Sequence, residues 1–283
     1  MKIIIVPTDF SENSANAMRY AIQMSKSHYF KLIFLHVYSL PFLNPEAGMV
    51  YDAVISESMR LQSEKALREH VEKVFDSLGM HRNLLLSELE TVEAMSLVGG
   101  IEKVHHHYHA DWVMMGTHGA TGLKKFFLGS NAVDVIKNSP LPVLTIPDAC
   151  TFHQMNHLAY ASDFKNIESE LKQVVDFAAA FQADVHVIHV AQDDITQQYI
   201  EVDTLIKQWQ TLTKYKRINF HLIQGSEQTP VNESLGKLIN QVQADLLLVF
   251  HEQRNFWKSL FEKSIAAEIV YEWTRPILII PKK

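Results

Sequence analysis

The segment that decides the fold is ADWVMMGTHGATGLKKFFLGSNA, residues 110–132. Its apolar run at residues 112–115 predicts a strand buried on both faces of a parallel sheet. A glycine-punctuated loop follows, and Gly129-Ser130 then opens an amphipathic run with Ser130 as the expected helix N-cap. Because a helix start presents N–H groups and a partial positive charge, this order of strand, bare loop and helix predicts an anion site.

Three glycines in this segment have a defined spacing, Gly116-x2-Gly119-x9-Gly129, and Ser130 follows the last of them. A glycine leaves no side chain between backbone and ligand, so the chain can approach a ligand closely at these positions. The alternative is that the glycines only form a tight turn. The loop is not a Walker A motif, since no Gly-x4-Gly-Lys-[Ser/Thr] occurs, and the TDFS sequence at residues 8–11 is not a dinucleotide fingerprint.

The composition is that of a globular protein with two domains of ordinary size. The chain has 283 residues, of which 47% are hydrophobic and 20% charged. A net charge of −6 and a lack of lysine and arginine clusters argue against a nucleic-acid partner. The single cysteine, Cys150, is typical of a reducing compartment. The first seven residues indicate a strand rather than a signal peptide, and no apolar run is long enough to span a membrane, so we expect a cytoplasmic protein without a membrane partner.

Predicted strands and helices alternate along the first half of the chain. We expect strands at residues 3–6, 32–37, 84–87, 112–115 and 142–147. The longest predicted helix covers residues 50–78, and another covers residues 97–109. Such alternation is typical of a parallel sheet wrapped by helices.

The second half of the chain repeats the first at four places. Thr8-Asp9-Phe10 recurs as Ser162-Asp163-Phe164, Leu35-His36-Val37 as Ile188-His189-Val190, Ala110-Asp111 as Ala244-Asp245, and PVLTIP at residues 142–147 as PILIIP at residues 276–281. A repeat of this length indicates a duplicated domain rather than a solenoid. We therefore predict an α/β protein with two Rossmann-like, doubly wound domains, residues 1–149 and 150–283, each a five-stranded parallel sheet flanked by helices.

The glycine spacing, set between an Ala-Asp strand and a Pro-bounded closing strand, resembles the nucleotide-binding signature of ATP-binding universal stress proteins. The whole chain is similar to a tandem member of that family. The resemblance implies the strand order 3-2-1-4-5 in each domain and an ATP, with Mg²⁺, across the carboxyl ends of strands one and four. Carried onto this sequence, the nucleotide-binding residues are Pro7, Thr8, Asp9, Val37, Met115, Gly116, Gly119, Gly129, Ser130 and Asn131.

Two of these residues have a structural alternative. The resemblance implies that Asp9 contacts the ribose or the adenine, whereas Asp is also a common helix cap after a first strand. Val37 would line the adenine pocket through its backbone, or it belongs to the core at the strand end. Asn131 departs from the apolar residue usual in the family, but its N–H remains, so we expect binding to survive.

The two halves differ where the glycines stand. In the second half Phe250, Gln253, Phe256 and Lys263 replace Gly116, Gly119, Gly122 and Gly129, and only Ser264 is kept, opposite Ser130. Bulky side chains at these positions would block the approach of backbone to ligand. We therefore expect one nucleotide per chain, held by the first domain.

The histidines permit several interpretations. His118 lies in the loop and either approaches a phosphate or faces solvent. His105 and His109 have the i, i+4 spacing of helical zinc ligands, but no third ligand is evident, so we expect a polar helix face and no metal. His36 and His189 stand in strand two of both copies, which indicates a structural role.

We expect a nucleotide-dependent, stress-response regulatory module rather than an enzyme. The sequence has no Walker B partner, positioned base or arginine finger for hydrolysis. The alternatives are a slow ATP hydrolase and a structural or interaction protein whose loop holds some other anion. The apolar, proline-bounded fifth strands at residues 142–147 and 276–281 predict pairing of the two domains within one chain, with a homodimer left open.

Overall fold

The computed structural model describes residues 1–40, 49–117, 129–148, 150–191, 201–224, 231–251 and 275–282. The chain divides into two compact units, Met1–Phe152 and His153–Lys283. The division falls three residues beyond the predicted boundary because Phe152 belongs to the first unit. Its ring lies edge-on to those of Tyr20 and His28, with centroids 5.3 and 6.3 Å apart.

The first unit is a parallel sheet with helices between its strands. Its elements are β1 (Ile3–Pro7), α1 (Glu12–His28), β2 (Lys31–Tyr38), α2 (Met49–Ser77), a 3-10 turn (Arg82–Leu84), β3 (Ser87–Glu93), α3 (Leu97–Tyr108), β4 (Trp112–Gly116), α4 (Ser130–Asn138) and β5 (Val143–Ile146). The strand order is β3-β2-β1-β4-β5. The predicted fold class and the order 3-2-1-4-5 are therefore confirmed for this unit.

The central strands are apolar because both of their faces are covered. Ile4, Ile5 and Val6 of β1 have no exposed surface, and neither do Val113 and Met114 of β4. Burying one such side chain contributes roughly 1.5–3 kcal/mol to the free energy of folding. The apolar run that predicted β4 is therefore a strand of the sheet interior, next to β1.

The prediction for the third strand was wrong. Residues 84–87 were expected to form it, but Leu84 ends the 3-10 turn and β3 begins at Ser87. This strand lies at one end of the first unit's strand order and pairs with β2, so it has no need to be apolar. Its sequence, SELETVE, carries three glutamates, whereas the leucines that drew the prediction, Leu84 and Leu86, are 67% and 56% exposed.

The second unit repeats the architecture of the first. Its elements are β6 (His157–Ala161), α5 (Ile167–Phe181), β7 (Asp184–Ala191), α6 (Val202–Thr213), β8 (Ile218–Gln224), α7 (Val231–Gln241), β9 (Leu246–His251) and β10 (Ile277–Pro281). The strand order is β8-β7-β6-β9-β10, all parallel, which is again 3-2-1-4-5 when the strands are counted within the unit.

The repeated Ala-Asp pairs anchor the first strand of each unit. Asp111 accepts a hydrogen bond from the backbone N–H of Ile3 at 2.8 Å, and Asp245 accepts one from the N–H of His157 at 2.9 Å. These N–H groups stand at the very start of their strands, and a carboxylate acceptor there stabilises the strand end. The repeat at these positions is therefore structural.

The repeated Thr/Ser-Asp-Phe motif forms the same turn after β1 and β6. Phe10 and Phe164 have positive φ angles, 66° and 65°, which is uncommon for a bulky residue. In both turns the hydroxyl two residues earlier accepts from the phenylalanine N–H. A histidine from the second strand of each unit stabilises the turn. The Nδ1–H groups of His36 and His189 donate to the carbonyl oxygens of Thr8 and Ser162 at 3.1 and 2.8 Å.

Among the residues that the structure describes, no helix combines the length and the apolarity needed to cross a membrane.

Candidate functional site

A cavity of about 440 Å³ opens in the first unit at the carboxyl ends of β1, β2 and β4, beside the start of α4. Nine of the ten residues predicted to bind nucleotide line it. They are Pro7, Thr8, Asp9, Val37, Met115, Gly116, Gly129, Ser130 and Asn131. The tenth, Gly119, lies outside the described residues, as does His118. The structure thus brings together residues that are more than 100 positions apart in the sequence.

At the end of β1, hydrogen bonds fix the backbone that enters the cavity wall. The N–H of Thr8 donates to the carbonyl of Leu35 at 2.8 Å, and the Thr8 hydroxyl lies 2.9 Å from that of Ser14. Ser11 caps α1 by accepting from the N–H of Ser14. Asp9 is therefore not the cap; its carboxylate accepts from the N–H and the hydroxyl of Ser11 and lies exposed at the cavity.

On the other side of the cavity lie Thr117 and Gly129, the described ends of the glycine segment. The N–H of Gly129 donates to the carbonyl of Thr117 at 2.8 Å, and the N–H of Thr117 donates to Ile146 at 3.2 Å. The two ends of the loop therefore meet at the carboxyl ends of β4 and β5, and α4 starts from that point.

The start of α4 differs in one detail from the prediction. Ser130 was expected to be the N-cap, but Gly129 occupies that position and Ser130 is the first helical residue. A glycine has no side chain to satisfy the helix donors, and the first helical bond runs from the N–H of Val133 to the carbonyl of Gly129. Within the described part of the chain, no side chain caps the first-turn N–H groups before Val133, and none of the residues of that turn is acidic. A helix start of this kind attracts an anion.

Gly116 is required by helix packing as well as by the cavity. A Cβ built on Gly116 would lie 1.8 Å from Oδ1 of Asn13 and 2.9 Å from its backbone oxygen. Packing thus adds a second reason for a glycine here, beside the expected close approach of backbone to ligand. Its absent side chain lets α1 approach β4.

Nine further lining residues were missed by the sequence analysis. Residues 94–97, between β3 and the start of α3, form a third wall of the cavity. The others lie in or just after β2 or beside the predicted positions: Ser14, His36, Tyr38, Ser39 and Ala132. Ser96 caps α3 by accepting from the N–H of Gly99 at 3.1 Å. A serine directly before the predicted helix start at residue 97 was the available signal for this cap.

Close packing joins this wall to the predicted residue Val37. A Cβ built on Gly100 would lie 2.3 Å from Cγ2 of Val37, so α3 rests directly on the end of β2. Burial and the nearby carboxylate of Glu93 raise the pKa of Tyr38, so its hydroxyl keeps its proton at neutral pH and can donate to a ligand.

The histidine run before β4 is structural in this geometry. Helix α3 ends at Tyr108, and His109 takes a left-handed conformation with φ of 53°, so His105 and His109 do not share a helix face. Nδ1–H of His105 donates to the carbonyl of Ala110 at 3.0 Å. Nowhere in the described ranges do three histidine, cysteine or carboxylate side chains come together as a metal would require.

The equivalent region of the second unit is built differently. Phe250, which stands where the first unit has Gly116, is 8% exposed and packs edge-on against Tyr160 at 5.6 Å. Asp163, the counterpart of Asp9, lies within 3.7 Å of the amino groups of Lys165 and Lys282. Gln253, Phe256, Lys263 and Ser264 lie outside the described residues.

Comparison with known proteins identifies the family. Residues 1–147 match the model of the universal stress protein family. The chain belongs to this family. A universal stress protein of Methanocaldococcus jannaschii is 34% identical over 146 residues, which are 51% of this chain and 81% of that protein. One of Thermus aquaticus is 25% identical over 145 residues, 51% of this chain and 98% of that protein.

Solved universal stress proteins share the fold over nearly the whole chain. A crystal structure from Archaeoglobus fulgidus has a TM-score of 0.69 at 19% identity and covers 99% of this chain and 98% of its own. A putative universal stress protein from Pseudomonas aeruginosa has a TM-score of 0.52 at 13% identity, with 99% and 93% covered. At these identities the likeness concerns the fold alone. Universal stress proteins are generally not enzymes, as we expected for this chain.

Proposed function

We propose that the first unit binds ATP together with Mg²⁺ and that its occupancy makes this universal stress protein a nucleotide-dependent regulatory module. The observation that carries the proposal is the convergence of nine predicted residues on one cavity that ends at the glycine-capped start of α4. A volume of about 440 Å³ is ordinary for a small-molecule site.

Charge sets the orientation of the nucleotide. The phosphates belong at the start of α4, where first-turn N–H groups and the helix dipole favour negative charge. Asp9 is a carboxylate and would repel phosphate, but it can accept hydrogen bonds from ribose hydroxyls or an adenine amino group. Asn131 leaves the site intact, because the group it supplies is its backbone N–H and its side chain is exposed.

The lining residues favour binding over hydrolysis. A hydrolytic site needs a base positioned to activate water. His36 is the candidate base, since its Nδ1–H donates to the carbonyl of Thr8 and leaves Nε2 as the basic nitrogen. The described lining residues, however, include no lysine or arginine to stabilise the charge of phosphoryl transfer. Slow ATP hydrolysis stays the alternative, and a protein that binds no nucleotide is the other.

The second unit, in this proposal, holds no nucleotide. A phenylalanine occupies the counterpart of Gly116, and two lysines pair with the counterpart of Asp9 and would compete with a ribose for its carboxylate. We therefore expect one nucleotide per chain.

The substitution Gly129→Val tests the phosphate assignment. Gly129 has φ −57° and ψ 153°, a conformation open to any residue, so valine there adds no backbone strain. Its side chain would instead occupy the space that the phosphates need. Losing one or two charge-assisted hydrogen bonds costs about 1.5–3 kcal/mol each, which lowers ATP affinity at least tenfold.

The matched control is Lys137→Val, which places the same side chain at an exposed position near the other end of α4. We expect Lys137→Val to bind Mg-ATP like the unmodified protein in calorimetric titration. The free energy of unfolding of both variants should stay within about 1 kcal/mol of that of the unmodified protein. Equal affinity of Gly129→Val and the control would refute the phosphate assignment. Native mass spectrometry of protein purified from cells identifies the nucleotide by mass.

A further inference from the structure

Three histidines of the second unit form a row across neighbouring strands. His157 begins β6, His186 lies in β7 and His221 in β8. Nδ1 of His157 is 3.3 Å from Nε2 of His186, and Nδ1 of His186 is 3.0 Å from Nε2 of His221. The ring centroids of successive pairs are 5.4 and 5.2 Å apart. Three imidazoles are therefore joined by N–H···N hydrogen bonds, which we call the histidine row.

The first unit has no counterpart to this row. By position within the strand, His157 corresponds to Ile3, His186 to Ile33 and His221 to Glu90. Ile33 has no exposed surface and packs in the first unit's core. The histidine row thus places three titratable groups where the related unit has two isoleucines and one glutamate.

The row continues the face of the sheet on which α7 packs. Side chains two positions further along a strand share a face, and those positions are Ala159, Ile188 and Ile223. They belong to, or pack against, the cluster that includes Ile239 near the end of α7. A change of charge in the row therefore acts on the packing of α7 against the sheet.

Few charged groups surround the row among the described residues. On β7, Asp184 has a carboxylate oxygen 3.9 Å from Nδ1 of His157, and Arg217, just before β8, donates to that same carboxylate. On β9, Asp245 is engaged with the backbone at the start of β6. Among the α7 side chains that the structure describes, Lys237 is the titratable one, and it brings a positive charge, not a counter-charge, to this helix. Of all the described side chains, the Asp184 carboxylate, already shared with Arg217, is thus the acid that pairs with the row.

Each proton that the row takes up is costly. An imidazolium at His186 would be half-buried between two other imidazoles, and its counter-charge, Asp184, is already shared with Arg217. A second proton would place two positive rings about 5 Å apart in a half-buried site, where like charges repel strongly. The unfolded chain carries no such restriction and binds three protons in mild acid.

We infer that the histidine row makes the second unit acid-responsive, so that protonation loosens the packing of α7 and β8 while the first unit stays folded. Burial, with the neighbouring histidines, lowers the pKa of His186 to about 4, and burial also lowers the pKa of His221. A base whose pKa is lowered by folding stabilises the fold above its unfolded pKa, near 6.5. That stability is lost as the pH falls from about 6.5 toward 4.

Hydrogen-exchange mass spectrometry of the full chain at pH 7 and pH 5, corrected for intrinsic exchange rates, tests the inference. From the pKa of His186 alone, protection in β7, β8 and α7 should fall by up to about 20-fold between pH 7 and pH 5. Protection in β1 and β2 should change much less.

The variant His186→Gln keeps a polar, hydrogen-bonding side chain that does not titrate, and it should remove most of the acid-dependent loss. His221→Gln serves as a second variant if His186→Gln folds poorly. The control His106→Gln removes an exposed histidine of α3 in the first unit and should leave the loss unchanged. Equal protection of the second unit at both pH values would overturn the inference, as would a loss that persists in both row variants.

Discussion

The packing of α3 on the end of β2 gives the sharpest mechanical prediction for the candidate site. Gly99 and Gly100 are neighbours in the first turn of α3, so each gains the same helix propensity, about 1 kcal/mol, on replacement by alanine. Their surroundings differ. A Cβ on Gly99 meets Oγ of Ser96 at an ordinary 3.5 Å, whereas a Cβ on Gly100 meets Cγ2 of Val37 at 2.3 Å.

The clash at Gly100 cannot be relieved by a rotation of Val37 alone. Its Cγ1 and Cβ lie 3.3 and 3.4 Å from the new carbon, and a β-branched side chain is stiff at χ1. Either α3 or the end of β2 must move, and such overpacking costs about 1–3 kcal/mol. Set against the propensity gain, Gly100→Ala should be destabilised by up to about 2 kcal/mol, while Gly99→Ala is stabilised by about 0.5–1 kcal/mol.

The difference in stability between the two variants is measured by urea unfolding, with hydrogen exchange in first-unit peptides as the probe. Gly100→Ala should also weaken Mg-ATP binding, because Val37 lines the cavity. The double variant Gly100→Ala/Val37→Ala removes both clashing methyl groups, and we expect a coupling energy of about 1 kcal/mol or more between the two sites. If Gly100→Ala is as stable as Gly99→Ala, the described contact between α3 and β2 is wrong.

Three further predictions concern the frame of the molecule. Gly116→Ala should destabilise the first unit by about 1–3 kcal/mol in urea unfolding. Part of this loss should be recovered when Asn13→Ala is added, since the clash is with the Asn13 side chain; if nothing is recovered, the strain lies elsewhere. Asp111→Asn should cost about 1–2 kcal/mol by weakening the charged acceptor at the start of β1, and an unchanged unfolding midpoint would contradict that. Pairing of residues 142–147 with residues 276–281 stays a sequence-based prediction. Zero-length cross-links, or disulfides between engineered cysteine pairs on these strands, would support it, and consistent failure to form them would count against it.

The sequence predicted the segment around β4 well because local signals there agree with tertiary needs. A strand of the sheet interior must be apolar, and the residue at its end must be a glycine where α1 packs against it, so both features are written in consecutive residues. The third strand was misplaced for the opposite reason. At the end of the strand order it is held by backbone bonds to β2 and tolerates the glutamates of SELETVE.

Other features depend on register and could not be read from one segment. The wall formed by residues 94–97 reaches the cavity only because α3 packs on Val37, and no spacing in the sequence encodes that contact. The histidine row places one residue on each of three strands, and it exists only because β6, β7 and β8 are neighbours in a given register. The N-cap of α4 is Gly129 and not the expected Ser130. The sequence could not decide between them, since a glycine and a serine are both acceptable N-caps.

Calorimetric titration of the full chain with Mg-ATP decides whether the first-unit cavity binds nucleotide. We expect a saturable heat with a stoichiometry near one, present in Lys137→Val and lost or weakened at least tenfold in Gly129→Val. A stoichiometry near two would show that the second unit also binds. No saturable heat at millimolar nucleotide, or the same affinity in Gly129→Val, would contradict the assignment of this cavity as a nucleotide site.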